Sequence, residues 1–468
     1  MTVMTTANQE VPDPQEEVRV CRPSRILIDC TETIASGRLT GIQRVVREIA
    51  GRTEWLSREV GIPCIAVITD GVKVRRAPLD ALERRNGRMM RTGGRAIIDK
   101  WRATWGRWSE PLLESLGVRL AARRLVWRFF IMTPVRLGHR ANNIKILTQS
   151  GDLLLLPDSF WGLACSVRLA ERARAAGVCV VPVIHDIFPI THPELSDSKN
   201  TTAFKAAPGR LLPASDALLT VSGFTQSQVE ALLERRGLRV PPIQSFRLGA
   251  DPFPLGSVAA SCDAELLPLR DIYLMVGTIE PRKGHAAVLD AFERLWSNGS
   301  QATLVLIGRV GWRCEGLRKR LESHALRGRH LFVFYDATDV ELHHAYTHAK
   351  ALIMASRVEG FGLPLVEAMR YGVPVIASDI EVFREIGGDY PEYFAVDDVE
   401  DLCRLLGQNE RRENATRSPR YWPSWDEAAL GAAGGGQALF GLGFLGYCTL
   451  SITAESLIGN VLRGPSGI

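Results

Sequence analysis

The sequence lacks several features that would place it in a special class of protein. Its nine cysteines are scattered without a C-x-x-C pair or a His-rich partner, which argues against a zinc site or a disulfide framework and fits a reducing compartment. The N-terminal stretch is polar and acidic without an apolar core, so we expect no signal peptide and a disordered leader over residues 1–24. No nucleic-acid-binding motif occurs, so nucleic acid is not an expected partner.

The end of the sequence lacks charge. Residues 428–454 contain no Asp, Glu, Lys or Arg and are rich in glycine. Their length would cross a bilayer, but the glycines and hydroxyl side chains make a poor spanning helix. We therefore expect an apolar, Gly-rich C-terminal segment of unclear order at 428–468 and no transmembrane helix.

The remaining sequence is typical of a two-domain α/β protein. At 468 residues the chain is too long for one compact core, and 46% hydrophobic with 23% charged residues is ordinary for a globular protein. A Pro- and Gly-rich stretch at 241–252 predicts a boundary between one domain at 25–250 and another at 251–427. Short apolar runs alternate with helical patterns, which predicts parallel sheets.

The predicted elements follow this alternation in both halves. Strands are expected at 25–29, 63–69, 152–157, 178–184, 217–221, 272–276, 302–307, 331–334, 351–354 and 373–377. Helices of the second half are expected at 286–296, 315–325, 339–349 and 365–371. Ser222 is expected to cap a helix, and Thr338 with Glu341 forms a capping-box pattern.

Residues 83–140 are basic and aromatic. They contain 14 Lys or Arg against 4 Asp or Glu, with tryptophans and phenylalanines interleaved. Such a surface can contact anionic lipid headgroups or a lipid-linked acceptor, which would make the protein peripheral at a membrane. A solvated helical face with buried tryptophans explains the same composition, and both interpretations stay open.

Two carboxylates flank a glycine turn in the most informative segment of the chain. Glu359 and Glu367 are separated by seven residues, and Gly360-Phe361-Gly362-Leu363 lies between them. An apolar strand precedes the turn, and a helix is expected to start near Leu365. Glycines let the backbone approach a ligand closely, and a helix start offers free N–H groups to anions or hydroxyls.

A second motif comes after the predicted strand 272–276. It begins with Gly277 and Thr278 and continues with Arg282 and Lys283 before Gly284. Two adjacent cations at a strand end suit a diphosphate, because arginine makes bidentate charge-assisted contacts while lysine acts as a point charge. A surface Arg-Lys pair is the structural alternative.

These two motifs resemble the glycosyltransferase group 1 family, whose members are retaining enzymes with an E-x7-E signature. The resemblance implies the GT-B fold, an α/β architecture of two Rossmann-like, doubly wound parallel-sheet domains that face each other across a cleft. It also implies a nucleotide-sugar donor as substrate. The resemblance covers about residues 25–427 and is strongest in the second half.

The resemblance assigns roles to residues of the second half. Glu367 would bind the ribose hydroxyls of the donor, Glu359 would lie near the donor sugar, and Arg282 with Lys283 would bind the diphosphate. The remaining donor-binding candidates are backbone positions that come after predicted strands or open a helix: Gly277, Thr278, Gly308 near the base, Phe361, Gly362 and Leu363.

The first half supplies two further candidates. His185, followed by Asp186, ends a predicted buried strand and resembles the His-Asp motif on the acceptor side of the cleft, where it would contact the donor sugar or orient the acceptor. Gly41, in Thr-Gly-Ile-Gln-Arg, resembles the glycine loop that approaches the donor phosphate, and Arg44 could add charge there. A structural strand-end histidine and a solvated helix start are the alternatives.

No metal and no other cofactor is expected. Many glycosyltransferases of the other major fold hold a metal with an Asp-x-Asp pair, and no such pair occurs in this sequence. Arg282 and Lys283 would stabilise the charge of the departing diphosphate instead. Glu359, His185, Arg282 and Lys283 are therefore the catalytic candidates.

The resemblance is closest to bacterial mannosyl- and rhamnosyltransferases of polysaccharide assembly. It implies a cytoplasmic enzyme, with GDP-mannose as first choice of donor and a growing polysaccharide or lipid-linked glycan as acceptor. Two alternatives remain: a nucleotide-sugar epimerase of the same fold and a non-catalytic nucleotide-sugar-binding scaffold. The segment at 422–427 resembles the lead-in to the family's last helix, which crosses back to the first domain, but the residues after 427 depart from an amphipathic pattern.

Overall fold

The protein forms two β-sheets flanked by helices in a computed structural model. The structure describes residues 23–36, 40–79, 82, 145–159, 164–212, 214–252, 266, 268–335, 337–412 and 418–438. The expected α/β class with two largely parallel sheets is confirmed. The predicted domain limits at residues 250 and 427 stay predictions.

The first sheet has eight strands in the order β4-β3-β2-β1-β5-β6-β7-β8. Its strands are β1 Arg25–Asp29, β2 Cys64–Thr69, β3 Val74–Arg76, β4 Lys145–Ile146, β5 Asp152–Leu156, β6 Cys179–Ile184, β7 Leu218–Thr220 and β8 Ile243–Ser245. Only the β2–β3 and β3–β4 pairs are antiparallel among these strands. The central strands β5 and β6 are buried at every residue, as expected for parallel strands covered on both faces.

The second sheet has six strands in the order β11-β10-β9-β12-β13-β14, and all its pairs are parallel. Its strands are β9 Ile272–Val276, β10 Thr303–Ile307, β11 Leu331–Phe334, β12 Ala349–Met354, β13 Val375–Ser378 and β14 Glu392–Phe394. The strand order reverses direction between β9 and β12. Ligands of such sheets bind beyond the carboxyl ends of the strands at this point.

Fourteen described α-helices connect and cover the strands. They are α1 Thr31–Ser36, α2 Gly41–Ala50, α3 Thr53–Val60, α4 Ala164–Ala175, α5 Phe188–Thr191, α6 Ser198–Leu211, α7 Gly223–Arg235, α8 His285–Ser297, α9 Glu315–Glu322, α10 Asp339–Thr347, α11 Leu363–Tyr371, α12 Glu381–Gly387, α13 Val399–Glu410 and α14 Trp425–Ala438. Short 3-10 helices occur at Pro193–Leu195 and Pro281–Lys283.

The predicted helix caps are present. The Ser222 side chain accepts from the backbone N–H of Thr225 at the start of α7. Thr338 and Glu341 form the reciprocal capping box at the start of α10. All ten predicted strands occur, with ends displaced by at most two residues, because short apolar runs between polar turns specify a buried strand well.

Helix α11 begins at Leu363, two residues before the predicted start. Pro364 therefore occupies the second helical position, where its missing N–H costs nothing. Glu367 consequently lies in the second turn of the helix and not in the first turn. Its side chain contacts Arg44 of α2 and Tyr346 of α10.

Helix α14 corrects the expectation of unclear order after residue 427, as far as Ala438. It contacts α2, α3 and β7, so it returns to the first sheet. Its buried face carries small side chains at helical spacing behind one tryptophan: Trp425, Ala428, Ala429, Ala432 and Ala433. An alanine stripe beside glycines gives little contrast in hydropathy, which is why the sequence pattern did not reveal it.

Close backbone contact secures this last helix. A Cβ atom on Gly249 would lie 2.5 Å from the Trp425 Cα atom, so only glycine fits there. The Trp422 indole N–H donates to the Leu248 carbonyl at 2.7 Å. The chain after residue 418 is thereby attached to the segment that comes after the first sheet.

Three predictions concern segments outside the described residues. These are the leader before residue 23, the whole basic and aromatic region at 83–140, and the apolar segment from residue 439 onwards. Among the helices that the structure describes, none is long and apolar enough to cross a membrane. Five of the described cysteines are free thiols, namely Cys30, Cys64, Cys165, Cys314 and Cys403.

Candidate functional site

The candidate site lies at the carboxyl ends of β9, β10 and β12. Gly277 and Thr278 come directly after β9, and Gly308 comes after β10. A Cβ atom on Gly308 would lie 1.9 Å from the Gly277 carbonyl oxygen, and both residues have positive φ. These glycines allow the ends of β9 and β10 to approach each other closely.

An ion-pair cluster joins the two predicted motifs, and we call Glu280, Arg282, Lys283 and Glu359 the Glu359 cluster. Arg282 Nη1 donates to Glu359 Oε2 at 2.7 Å and to the Val358 carbonyl at 3.1 Å. Lys283 Nζ pairs with Glu359 Oε1. Arg282 Nε lies 2.5 Å from Glu280 Oε1. The structure therefore brings together three of the four catalytic candidates.

The charges of this cluster fix the protonation of Glu359. Burial raises the pKa of Glu359, but the charges of Arg282 and Lys283 and their hydrogen bonds outweigh it and lower the pKa to about 2. Ser356 Oγ also donates to Glu359 Oε1 at 2.9 Å. Glu359 is therefore ionised at neutral pH, with both oxygens engaged by donors.

Arg282 is constrained on several sides. Burial lowers the pKa of its guanidinium, but Glu359, Glu280 and Asp186 raise it to a value well above the usual one. Its guanidinium carbon lies 4.8 Å from the centre of the Phe188 ring, which belongs to α5 of the first half. Within the described residues, no hydrogen bond engages its Nη2 atom. That nitrogen remains available to an anion.

His185 and Asp186 come after β6 and meet the glycine turn. A Cβ atom on Gly360 would lie 1.8 Å from the His185 carbonyl oxygen, so the turn packs directly on this strand end. His185 Nε2 donates to the Pro157 carbonyl at 2.7 Å, since a carbonyl only accepts. Burial lowers the pKa of His185 to about 4, so the imidazole is neutral at neutral pH.

The charges of the Glu359 cluster influence the pKa of Asp186. Burial raises its pKa, Arg282 lowers it, and the negative charges of Glu359 and Glu280 raise it, with a net value of about 6. Asp186 therefore titrates close to neutral pH. The His-Asp motif thus lies beside the cluster, while its predicted place on the acceptor side of a cleft stays a prediction.

The glycine turn is held by helix α7. Ser222 Oγ donates to the Gly360 carbonyl at 2.7 Å, and Thr225 Oγ1 donates to the same oxygen at 3.2 Å. Gly362 has φ +106°, and a Cβ atom there would lie 2.9 Å from the Phe383 ring. Phe361 is buried, whereas Leu363 is half-buried and opens α11. Hydroxyls from the first half therefore position the turn.

Glu367 is buried between two donors. Its Oε1 atom pairs with Arg44 Nη1, and its Oε2 atom accepts from the Tyr346 hydroxyl at 2.6 Å. Gly41 lies near the start of α11, because a Cβ atom there would be 3.8 Å from Leu363 Cδ1. Glu367 and the glycine turn thus contact residues of the first half, whereas Gly277, Thr278 and Gly308 lie at strand ends of the second sheet, and the predicted roles stay predictions.

The sequence reasoning missed several members of the site. Glu280 lies two residues before Arg282, and Phe188 lies two residues after Asp186. Their closeness to the predicted site residues could have identified them as candidates. Tyr346 lies in α10 and has no local motif, since only the tertiary fold brings it to Glu367.

No group of three or more His, Cys, Asp or Glu side chains arranged to hold a metal occurs in the described part of the chain.

The second sheet can be compared with known protein families. Residues 267–416 match the family described as Glycosyl transferases group 1, and this range includes all six strands of the sheet, Arg282 and Glu359. The chain contains a glycosyltransferase group 1 domain. The two largely parallel sheets of the chain agree with the GT-B architecture that the resemblance implied for this family.

Two mannosyltransferases of Escherichia coli are similar in sequence to this chain. The serotype-specific mannosyltransferase WbdA is 35% identical over 312 residues, which cover 62% of this chain and 38% of that protein. O-antigen chain mannosyltransferase B is 30% identical over 255 residues, which cover 50% of this chain and 63% of that protein. The chain spans less than two thirds of the length of either relative.

Solved structures of sugar-transferring proteins also align with the chain. Sucrose-phosphate synthase from Thermosynechococcus elongatus aligns with a TM-score of 0.49 at 15% identity and covers 94% of this chain and 99% of that chain. Anabaena HepE, solved with UDP and glucose, aligns with a TM-score of 0.48 at 16% identity and covers 92% and 99%. Both scores are below 0.5, and both sequence identities are below 25%.

Proposed function

We propose that the protein is a retaining, metal-independent glycosyltransferase that moves a sugar from a nucleotide-sugar donor to a growing polysaccharide or lipid-linked glycan. The observation that carries the proposal is the convergence of Arg282 and Lys283 on Glu359 at the ends of β9 and β12. Two cations and one ionised carboxylate at this position suit a reaction in which a diphosphate leaves a sugar.

The cations account for the departure of the leaving group. When the bond between the sugar C1 and the diphosphate oxygen breaks, negative charge develops on that oxygen, and fixed cations in a buried site stabilise it. Arg282 Nη2 is available for this contact. Lys283 Nζ can leave its ion pair with Glu359 and pair with a phosphate oxygen instead. The acceptor oxygen then bonds to C1 on the same face, and its proton passes to the departing phosphate.

The carboxylates and the histidine have complementary tasks in this proposal. Glu359 is ionised and stabilises positive charge on the sugar ring as the bond breaks. Glu367 binds ribose hydroxyls, for which an ionised carboxylate is an acceptor. His185 is neutral and contacts the sugar or orients the acceptor. The backbone of Gly41, Gly277, Thr278, Gly308 and of residues 361–363 lines the donor.

Mannose from GDP-mannose is the proposed donor, and polysaccharide assembly the proposed process. The names of the two E. coli relatives support this choice, since both are mannosyltransferases and one acts on the O-antigen chain. The proposed location is the cytoplasm, with peripheral contact to the inner face of the membrane. The basic and aromatic composition of residues 83–140 supports the membrane contact.

The proposal is tested by nucleoside diphosphate release from GDP-, UDP- and dTDP-sugars in the presence and absence of EDTA. The wild-type protein should release one nucleotide, EDTA should have no effect, and Glu367→Ala should abolish release. Release that requires added metal would refute metal independence. Binding of a nucleotide sugar without release, even with a glycan acceptor, would favour the scaffold, and conversion of the donor without transfer would favour the epimerase.

A further inference from the structure

The carboxylate of Glu367 is held from two directions. Arg44 pairs with one oxygen, and the Tyr346 hydroxyl donates to the other at 2.6 Å. The Glu367 side chain is 3% exposed, so its orientation is set by these donors and not by water. A carboxylate has roughly four acceptor positions, so two donors leave others for a ligand.

The two donors come from different parts of the fold. Arg44 lies in α2 beside the first sheet, whereas Tyr346 lies in α10 beside the second sheet and stacks on Tyr371 at 5.3 Å between ring centres. The Arg44–Glu367 pair joins residues separated by 323 positions in the chain. It therefore forms only when α2 lies against α11.

A buried carboxylate needs such partners. Removal of one partner from a buried ion pair leaves an uncompensated charge, which a protein avoids by moving or protonating the group. The tyrosine ring is fixed by its neighbour, and the arginine is 25% exposed at the edge of the crevice. Tyr346 thus supplies a rigid contact, while Arg44 supplies one that depends on the approach of the first half.

We propose that Arg44 and Tyr346 are positioning residues for Glu367, and that Arg44 makes recognition of the donor's ribose depend on contact between the two halves. The inference rests on the proposed function, because it takes Glu367 as the group that accepts from the ribose hydroxyls. Both donors fix the orientation of the carboxylate. The ribose site is complete only when α2 and α11 meet.

Equilibrium titrations with a nucleoside diphosphate and with its 2′,3′-dideoxy form test this inference. The probes are GDP, UDP and their dideoxy counterparts, and the proteins are wild type, Arg44→Gln, Tyr346→Phe, Glu367→Gln and the Arg44→Gln/Glu367→Gln double variant. Arg44→Gln should weaken binding of the normal nucleotide about ten- to a hundredfold. Binding of the dideoxy form should change less than about threefold.

The double variant separates positioning from independent contacts. If Arg44 acts through Glu367, the double variant should bind like Glu367→Gln alone, because the two losses are coupled. Tyr371→Phe is the matched control for Tyr346→Phe, since its hydroxyl lies 2.8 Å from His343 and the two rings stack. The control should retain the wild-type preference for the normal nucleotide.

Three outcomes would overturn the inference. If Arg44→Gln weakens binding of the normal and dideoxy nucleotides equally, Arg44 contacts the phosphates or supports the overall stability of the protein. If the losses of affinity are additive in the double variant, Arg44 does not act through Glu367. Wild-type affinity in Arg44→Gln would exclude any role in binding. If the wild-type protein binds neither GDP nor UDP, both this inference and the proposed donor fail. If the wild-type protein binds one of them and any of these three outcomes occurs in the variants, the inference alone is refuted.

Discussion

Arg282 and Phe188 belong to different halves of the chain, yet the guanidinium carbon lies 4.8 Å from the centre of the phenyl ring. Phe188 opens the short helix that comes after the His-Asp motif, and Arg282 belongs to the Glu359 cluster. A cation over an aromatic face is attracted by the ring. The first half therefore helps to orient a cation of the second half.

Replacing Phe188 by leucine should impair catalysis. The loss of a cation–π contact of about 0.5–2 kcal/mol should lower kcat/KM by about two- to thirtyfold. Phe332→Leu is the control, since Phe332 is buried in the second sheet and stacks on Phe334. If both variants lose thermal stability to a similar extent but only Phe188→Leu loses activity, the contact is functional. A wild-type kcat/KM in Phe188→Leu would show that the contact between Phe188 and Arg282 contributes nothing to catalysis.

The buried Asp158 should make stability depend on pH. Burial and the nearby charge of Asp29 raise the pKa of Asp158 from 3.8 to about 6 in the folded protein. Its contribution to stability is fully present below about pH 4 and is lost as the pH rises through about 6, because only the folded state keeps the proton in that window. The total loss should be on the order of 3 kcal/mol.

Urea unfolding between pH 4 and pH 8 measures this effect. The free energy of unfolding of wild type should fall more steeply between pH 4 and pH 6 than that of Asp158→Asn, and the two slopes should agree above about pH 7. Asp397→Asn serves as the reference, because Asp397 is exposed. Identical slopes for wild type and Asp158→Asn would contradict the assignment.

Glu385 links α12 to the start of α7. Its two carboxylate oxygens accept from the backbone N–H groups of Gly223 and Phe224, each at 2.7 Å. A carboxylate at a helix N-terminus is stabilised by the helix dipole. Because the contact is exposed to solvent, Glu385→Gln should lower the free energy of unfolding by only about 0.5–1 kcal/mol.

The matched control for this prediction is Glu381→Gln, an exposed glutamate of the same helix. The difference between the two variants should shrink in 1 M salt, since salt screens exposed charges. A difference that is independent of salt, or no difference at all, would show that the contact with α7 contributes nothing electrostatic.

Much of the fold could be predicted from local patterns. Buried parallel strands are continuous apolar runs, and the caps at Ser222 and Thr338 depend on neighbouring residues, so both are visible in the sequence. Helix α14 was not visible, because its buried face is made of alanines whose contrast with the glycines is weak. Its position depends on the small gap at Gly249, which no local pattern encodes.

The site was predictable where its residues belong to one motif. Arg282, Lys283, Glu359 and Glu367 stand in two short segments, and the structure places the first three in one cluster. The contacts of Glu367 with Arg44 and Tyr346 were not predictable, since they join three separate helices. Such contacts depend on how the halves pack and not on spacing along the chain.

The most direct test of the central claim is the single-turnover rate of nucleoside diphosphate release by Lys283→Ala, with Lys350→Ala as the matched control. Lys350 is a half-buried lysine of β12 whose Nζ donates to the Glu410 carbonyl at 2.9 Å. If Lys283 stabilises the leaving diphosphate, its variant should be slower by about 10²–10³-fold, while Lys350→Ala keeps the wild-type rate. A wild-type rate in Lys283→Ala would contradict the claim that this cluster takes the departing charge.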